Sequence, residues 1–265
     1  MENETKPTKL PGQLACRQLC VQLEQRTVLN HVDFQLSPGE LVGIIGSNGA
    51  GKSSLLKALM GLYKPVAGDV TFAGDPILTL SPKARAQSIA YVAQGNQLHW
   101  SQRVDKVVAL GLIPHGRTHG PDGQSIVHEV MRQADIDHLK HRNVLTLSGG
   151  ERARVLLARA LAVQAPVLLA DEPLSALDPA HQLRIMQLLS TQAQTGTAVA
   201  VVLHDLTLAM RYCSRIVILH QGFKLADAAP LNACTNENLM KAFGIRVARI
   251  EYNEGSFALP WELSA

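Results

Sequence analysis

Cysteine is scarce: Cys16, Cys20, Cys213 and Cys234 are the only four in 265 residues, and the nearest pair is separated by three residues. That excludes a disulfide framework and a zinc knuckle, and leaves reduced thiols in a cytosolic protein as the expectation. Excess charge of one sign is also missing, with 25 Lys and Arg against 22 Asp and Glu. No basic cluster stands out, so no nucleic-acid partner is expected. No uncharged apolar run approaches the roughly 18 residues of a membrane helix, and the opening MENETKPTKLPGQ has no apolar core. Neither a bilayer span nor an ordinary secretory signal is expected. Self-similarity at periods of about 20 to 50 residues is absent, which excludes a solenoid or a tandem duplication.

What is present reads as two kinds of strand. LACRQLCVQL (14–23), TVLNHVDFQL (27–36) and GDVTFAG (68–74) suit an antiparallel β layer, with Val28, Val32 and Phe34 alternating with polar residues. LVGII (41–45), PVLLA (166–170), TAVAVVL (197–203) and RIVIL (215–219) are instead apolar on both faces and alternate with helical patterns. Such runs belong to a parallel sheet covered on both sides. Between about 96 and 160 the pattern is helical, with borders at Gln94 and at the pair Gly149 and Gly150. Further on, a short helix is expected with its cap near Thr235 or Asn236 and its stop at Gly244. RVARIEYNEGSFALP then reads as a hairpin turning at residues 253–255. The expected fold class is α/β: a parallel-sheet core, an N-terminal antiparallel β subdomain and an inserted helical subdomain. One domain is expected over 12–245, with its core at 12–95 and 160–225 and its helical part at 96–160, followed by a hairpin tail over 246–265.

Chemistry concentrates first in GSNGAGKSS, which matches G-x-x-x-x-G-K-S/T between an apolar strand and a helical pattern. A loop so short of side chains, Gly46, Ser47, Asn48, Gly49, Ala50 and Gly51, lets successive backbone N–H groups converge on a polyphosphate at the positive end of a helix. Lys52 adds a mobile cation, Ser53 a hydroxyl for Mg²⁺, and Ser54 continues the helix start. Leu55, Leu56, Leu59 and Met60 form one apolar face that can dock on the sheet. The core is thus expected to be of the P-loop NTPase kind. PVLLADEP places Asp171 and Glu172 at the end of a strand, where ligands sit in such sheets. Asp171 suits the metal's outer shell and Glu172 a general base. His204 ends the next strand, VVLHD, and on the same edge its imidazole could contact a γ-phosphate or fix Glu172. Ser148, Gly149 and Gly150 open another helix and offer a second anion-binding end; Ser148 with Glu151 also makes a capping box.

With LSGGE (147–151) added to these pieces, the chain resembles the ATP-binding subunits of ABC transporters over about residues 12 to 245. The resemblance implies ATP and Mg²⁺ as the bound species, and two identical subunits stacked head to tail, each covering its partner's ATP with Ser148, Gly149 and Gly150. It implies that Gln94, in YVAQG, joins the metal site to the helical subdomain, that Asp178, in SALD, touches the opposing subunit, and that His204 is the switch histidine. Catalysis then falls to Glu172, His204 and Gln94, and metal binding to Ser53, Gln94 and Asp171. It further implies a peripheral place on the cytoplasmic face of the inner membrane, two integral permease subunits as partners, and indirectly a substrate-binding protein. VVALGLIPHG (107–116) resembles the V-x-x-G-R-x-P-H segment of importer subunits for iron-siderophore, haem, cobalamin and related chelates, with Leu112 where arginine is common. HDLTLAMRYCSRIVILHQG (204–222) is similar to the same group.

Two features stand apart from that pattern. Leu23 occupies the place where the family usually stacks an aromatic ring on adenine, so loose base selectivity is expected, with Arg26 able to supply a guanidinium face. His115, His119, His128, His138 and His141 are irregularly spaced, so an exposed helical surface is expected and not a metal site. Rival readings are an exporter or lipid-transport ATPase, which would differ in its partners, and a soluble ABC-type ATPase acting on nucleic acid or ribosomes. The last usually carries tandem cassettes or a long coiled-coil insert, and this chain has neither.

Overall fold

The computed structural model describes residues 12–95, 101–117, 120–252 and 255–263. In chain order its elements are β1 (Leu14–Leu23), β2 (Arg26–Leu36), β3 (Leu41–Ile45), α1 (Lys52–Leu59), β4 (Ala67–Phe72), β5 (Asp75–Pro76), α2 (Pro82–Ser88) and β6 (Ile89–Val92). The helices α3 (Val104–Ala109), α4 (Pro121–Gln133) and α5 (Gly149–Leu161) follow. The chain continues through β7 (Val167–Asp171), α6 (Pro179–Gln194), β8 (Ala198–Val202), α7 (Leu206–Tyr212), β9 (Arg215–His220), β10 (Phe223–Ala228), α8 (Pro230–Ala233) and α9 (Asn236–Phe243). It closes with β11 (Ile245–Tyr252) and β12 (Gly255–Leu263), an antiparallel pair.

The central sheet has the order β10-β9-β3-β8-β7-β6, parallel except for the edge strand β10. Every residue of β3, β7 and β8 is buried, as strands covered on both faces require. The two-residue period then assigns alternate side chains to two different cores. Val42, Ile44, Val167, Leu169, Ala200, Val202, Val217 and Leu219 face a cluster shared with α1 and the antiparallel layer β2-β1-β4-β5. Leu41, Ile45, Leu168, Ala170, Val199, Val201, Ile216 and Ile218 face the helices on the other side. Leu55, Leu56 and Leu59 of α1 are fully buried in the first cluster, each stabilising the fold by roughly 1.5–3 kcal/mol. Met60, the C-cap of α1, packs against the same cluster as expected and is partly buried.

Between β6 and β7 the described chain is helical, with 3-10 turns and one isolated bridge from Arg103 to Asn143. Leu112 is buried among these helices, so an apolar residue occupies that place for a packing reason. Arg154 of α5, also buried, donates to the carbonyl of Asp135 at 2.7 Å and to its carboxylate at 3.2 Å. Arg184 of α6 donates to the same carboxylate at 2.7 Å, so one acid links the helical segment to the helix after β7. Three short strands, β5, β6 and β10, are not legible in the sequence: β5 has two residues, β6 has four, and β10 is only partly buried, too little periodicity to read. The tail helix α9 is capped by Thr235, whose hydroxyl accepts from Asn238 N–H at 3.1 Å, and stops at Gly244 with φ 68°. Residues 253 and 254 of the expected turn lie outside the described residues.

Candidate nucleotide and metal site

All five parallel strands deliver their C-terminal ends to one edge. β3 runs directly into Gly46, β7 ends at Asp171 with Glu172 next, β8 leads to His204, β9 ends at His220, and β6 leads to Gln94. Because β8 lies between β3 and β7, His204 falls between the phosphate loop and the acid pair. An open cleft of about 960 Å³ lies along this edge. Its lining includes Ser47, Asn48, Gly49, Ala50, Gly51, Lys52, Ser53, Ser54, Gln94, Glu172 and His204.

The loop needs glycine for reasons the coordinates make specific. A Cβ on Gly46 would come within 2.3 Å of Leu219 O, so β9 can pass close behind the loop only if that position is bare. Gly51 is the N-cap of α1 at φ 103°, and a Cβ there would sit 2.7 Å from Val28 O. No side chain caps α1. Its first N–H groups therefore face the cleft as donors awaiting an acceptor, which is an anion site by construction. Lys52 Nζ donates to two carbonyls of the loop, Gly46 O at 2.8 Å and Ser47 O at 3.0 Å. Burial holds its pKa below the ordinary value, against the pull of Glu172 and Asp171.

Asp171 and Glu172 are neighbours in sequence with different surroundings. Asp171 is buried; its Oδ1 accepts from the Ser53 hydroxyl at 3.0 Å and its Oδ2 from the Tyr91 hydroxyl at 3.2 Å. Burial raises its pKa, the Ser53 and Tyr91 hydrogen bonds lower it, nearby Glu172 raises it, and Lys57 lowers it. Glu172 takes a left-handed backbone, φ 50°, which turns it away from the path of Asp171. Such a conformation costs roughly 1–2 kcal/mol in a residue with a side chain. Its Oε1 lies 2.8 Å from His204 Nε2. Of the two roles open to His204, contact with Glu172 is the one this geometry displays. Hard oxygens from Ser53, Asp171 and Gln94 suit Mg²⁺, which takes one or two carboxylates plus phosphate and water. Among the described residues no group of three or more His, Cys, Asp and Glu could hold a metal, so a His- or Cys-rich transition-metal cage is not formed there. His128 pairs with Asp137 at 3.7 Å and His141 contacts Arg103, while His119 lies outside the described residues.

Gly46 and Asp171 lie just behind the cleft lining, Asp171 reaching it through Ser53, while four further expected site residues lie away from it. Ser148, Gly149 and Gly150 begin α5, and Asp178 begins α6. Ser148 Oγ accepts from Glu151 N–H at 3.2 Å while Glu151 Oε2 accepts from Ser148 N–H at 2.7 Å, the reciprocal capping box. A Cβ on Gly150 would approach Ala176 O to 3.1 Å and Leu177 Cδ2 to 3.2 Å, so this end packs tightly on the loop that leads to Asp178. Asp178 caps α6 by accepting from His181 N–H at 2.9 Å.

The ABC transporter family model matches residues 29–175. The chain belongs to the ABC transporter family. A hemin import ATP-binding protein, HmuV of Pseudomonas putida KT2440, is 46% identical over 225 residues, covering 83% of this chain and 88% of its own. A solved ABC transporter in an inward-facing conformation, assigned to the metal-chelate type, superposes with TM-score 0.79 at 25% identity over 94% of this chain and 97% of that one. A dimeric ATP-binding cassette in a post-hydrolysis state, bound to ADP and Pi, superposes with TM-score 0.75 at 29% identity over 82% and 99% of the two chains.

As an ABC ATPase the chain binds ATP and couples its hydrolysis to transport. Within this ABC fold, Leu23 packs against the apolar cluster of the antiparallel layer and is not among the residues lining the cleft. Arg26, Thr27 and Val28 line it in its place, together with His220, Gln221 and Gly222. Reading along the chain gave no role to the last three; only the strand order, which places β9 beside β3, brings their turn to the phosphate loop. Gly222 N–H donates to Ala50 O at 3.1 Å and locks that turn onto the loop.

Proposed function

We propose that this ABC subunit is the peripheral ATPase of a metal-chelate importer, acting as a homodimer beneath two integral permease subunits on the cytoplasmic face of the inner membrane. The cargo would be of the haem, siderophore-iron or cobalamin class, delivered by a substrate-binding protein. Likeness to a hemin import protein over most of both chains supports import. No helix of the described residues is long and apolar enough to cross a membrane, in keeping with separate permease subunits. The observation that carries the catalytic reading is the convergence of Lys52, Ser53, Asp171, Glu172 and His204 on one sheet edge.

In this reading the phosphates lie along the N–H groups of Gly46 to Ser54, and Lys52 releases its two loop carbonyls to meet them. Ser53, Gln94 and Asp171 would hold Mg²⁺, whose chemistry is to neutralise charge on the phosphates. Glu172 takes a proton from water as the water oxygen bonds to the γ-phosphorus and the bond to the bridging oxygen breaks, leaving ADP and phosphate. His204, 2.8 Å away, keeps the carboxylate aimed. Ser148, Gly149 and Gly150 of the partner subunit close over the γ-phosphate, with Asp178 of the partner subunit at the joint. Nucleotide then holds the dimer together, and hydrolysis removes the bridging charge. Closure reaches the permeases through the Gln94 segment and the helices α3, α4 and α5.

Light scattering of a Glu172→Gln protein with saturating ATP tests the dimer. Particles of twice the monomer mass are expected. A strict monomer, even in the presence of the permeases, would overturn the reading. Copurification with tagged permeases, then analysis of the cargo on the associated binding protein, identifies the chelate.

A further inference from the structure

Behind the proposed metal site is a group that the ATPase chemistry so far leaves unused. Tyr91 lies on β6, whose Tyr91 pairs in parallel register with Leu169 of β7, two residues before Asp171. Its hydroxyl reaches sideways to Asp171 Oδ2 at 3.2 Å, while Ser53 of α1 holds Oδ1 at 3.0 Å. Three separate elements therefore meet on one buried carboxylate. We infer that Tyr91 is a positioning residue for the Mg²⁺ site, clamping Asp171 in the single orientation in which the Ser53 hydroxyl can face the metal.

The argument is one of satisfaction and torsion. A buried carboxylate swings about its terminal torsion, which has no sharp staggered minima, unless both oxygens are held. Ser53 alone holds one oxygen and leaves a hinge. Adding the tyrosine donor on the second oxygen removes that freedom and offsets part of the cost of keeping the charge away from water. A phenol is an O–H donor, so Tyr91 supplies the hydrogen that the second carboxylate oxygen accepts. Lys57, one turn after Ser53 on α1, adds favourable charge to Asp171, and Glu172 adds opposing charge. Tyr91 also stands three residues before Gln94, on the strand that leads to it. The clamp thus ties the acid end of the site to the segment expected to sense the metal from the other side.

This inference rests on the Mg²⁺-ATP reading, and its test separates the two. In the full-length Tyr91→Phe protein, the affinity for a fluorescent ATP analogue without metal should stay within about 2-fold of the parent, since the phosphate loop is untouched. Mn²⁺ binding to the complex with a non-hydrolysable ATP analogue, followed by electron paramagnetic resonance, should weaken about 10-fold. In a metal-free thermal-unfolding cycle with Asp171→Ala, the two substitutions should be non-additive, with Tyr91→Phe losing most of its effect once the acceptor is gone. Unchanged Mn²⁺ affinity together with additive unfolding would sink the clamp and leave Tyr91 a packing residue. Loss of metal-dependent nucleotide binding in the parent itself would instead strike at the Mg²⁺-ATP reading.

Discussion

Replacing Glu172 with glutamine removes a base while keeping side-chain length and an acceptor for His204 Nε2, now 2.8 Å from Oε1. The glutamate side chain is only 14% exposed, so bulk water is poorly placed to substitute for it. A positioned general base contributes about 10²- to 10⁴-fold, equivalent to roughly 2.7–5.5 kcal/mol at about 1.36 kcal/mol per decade. Binding should move the other way or not at all. The phosphate loop is unaltered, and one negative charge near Lys52, which now favours its protonated form, is withdrawn from the path of an anionic ligand. The left-handed backbone at 172 is no worse for glutamine, so stability should change by less than about 1 kcal/mol. Phosphate release at saturating ATP should therefore fall by at least about 100-fold while a fluorescent nucleotide still titrates with undiminished affinity. Turnover within about 3-fold of the parent would show that the proton goes elsewhere, and the assignment of Glu172 would fail.

Lys52→Ala should lower ATP affinity by about 10- to 100-fold by calorimetry with circular dichroism unchanged, because a charge-assisted contact to phosphate is lost and the fold is not. The same lysine makes a pH prediction: folding holds its pKa below the ordinary 10.5, so the unfolded chain binds the proton more firmly and the burial penalty is fully present at neutral pH. Relative to Lys52→Met, the wild type should gain stability as pH rises toward the ordinary 10.5; a flat difference in denaturant midpoints would contradict the buried ammonium. Since Leu23 packs against the β layer outside the lining of the cleft and Arg26 lines the cleft, competition binding should show ATP favoured over GTP by no more than about 10-fold, and strong discrimination would point to a base-reading group not yet recognised.

The linear sequence alone determined the strands with both faces covered, the loop and the chemistry of single positions. Runs such as LVGII and TAVAVVL are apolar at every position, and only strands with two covered faces tolerate that, so the parallel sheet could be read directly. Glycines around Lys52 disclose an anion site for the same local reason: absent side chains are visible in sequence. Strand order is not local, and it decided what those residues do together. Placing β8 between β3 and β7 brought His204 to Glu172 across 32 positions of chain, and placing β6 beside β7 brought the Tyr91 hydroxyl to Asp171 across 80. Short strands such as β6 carry too few residues for a period to register, and the direction of a side chain from them depends on the neighbour they pair with. Leu23 shows the converse: a position picked out along the chain packs, half-buried, against the apolar cluster of the β layer and does not line the cleft.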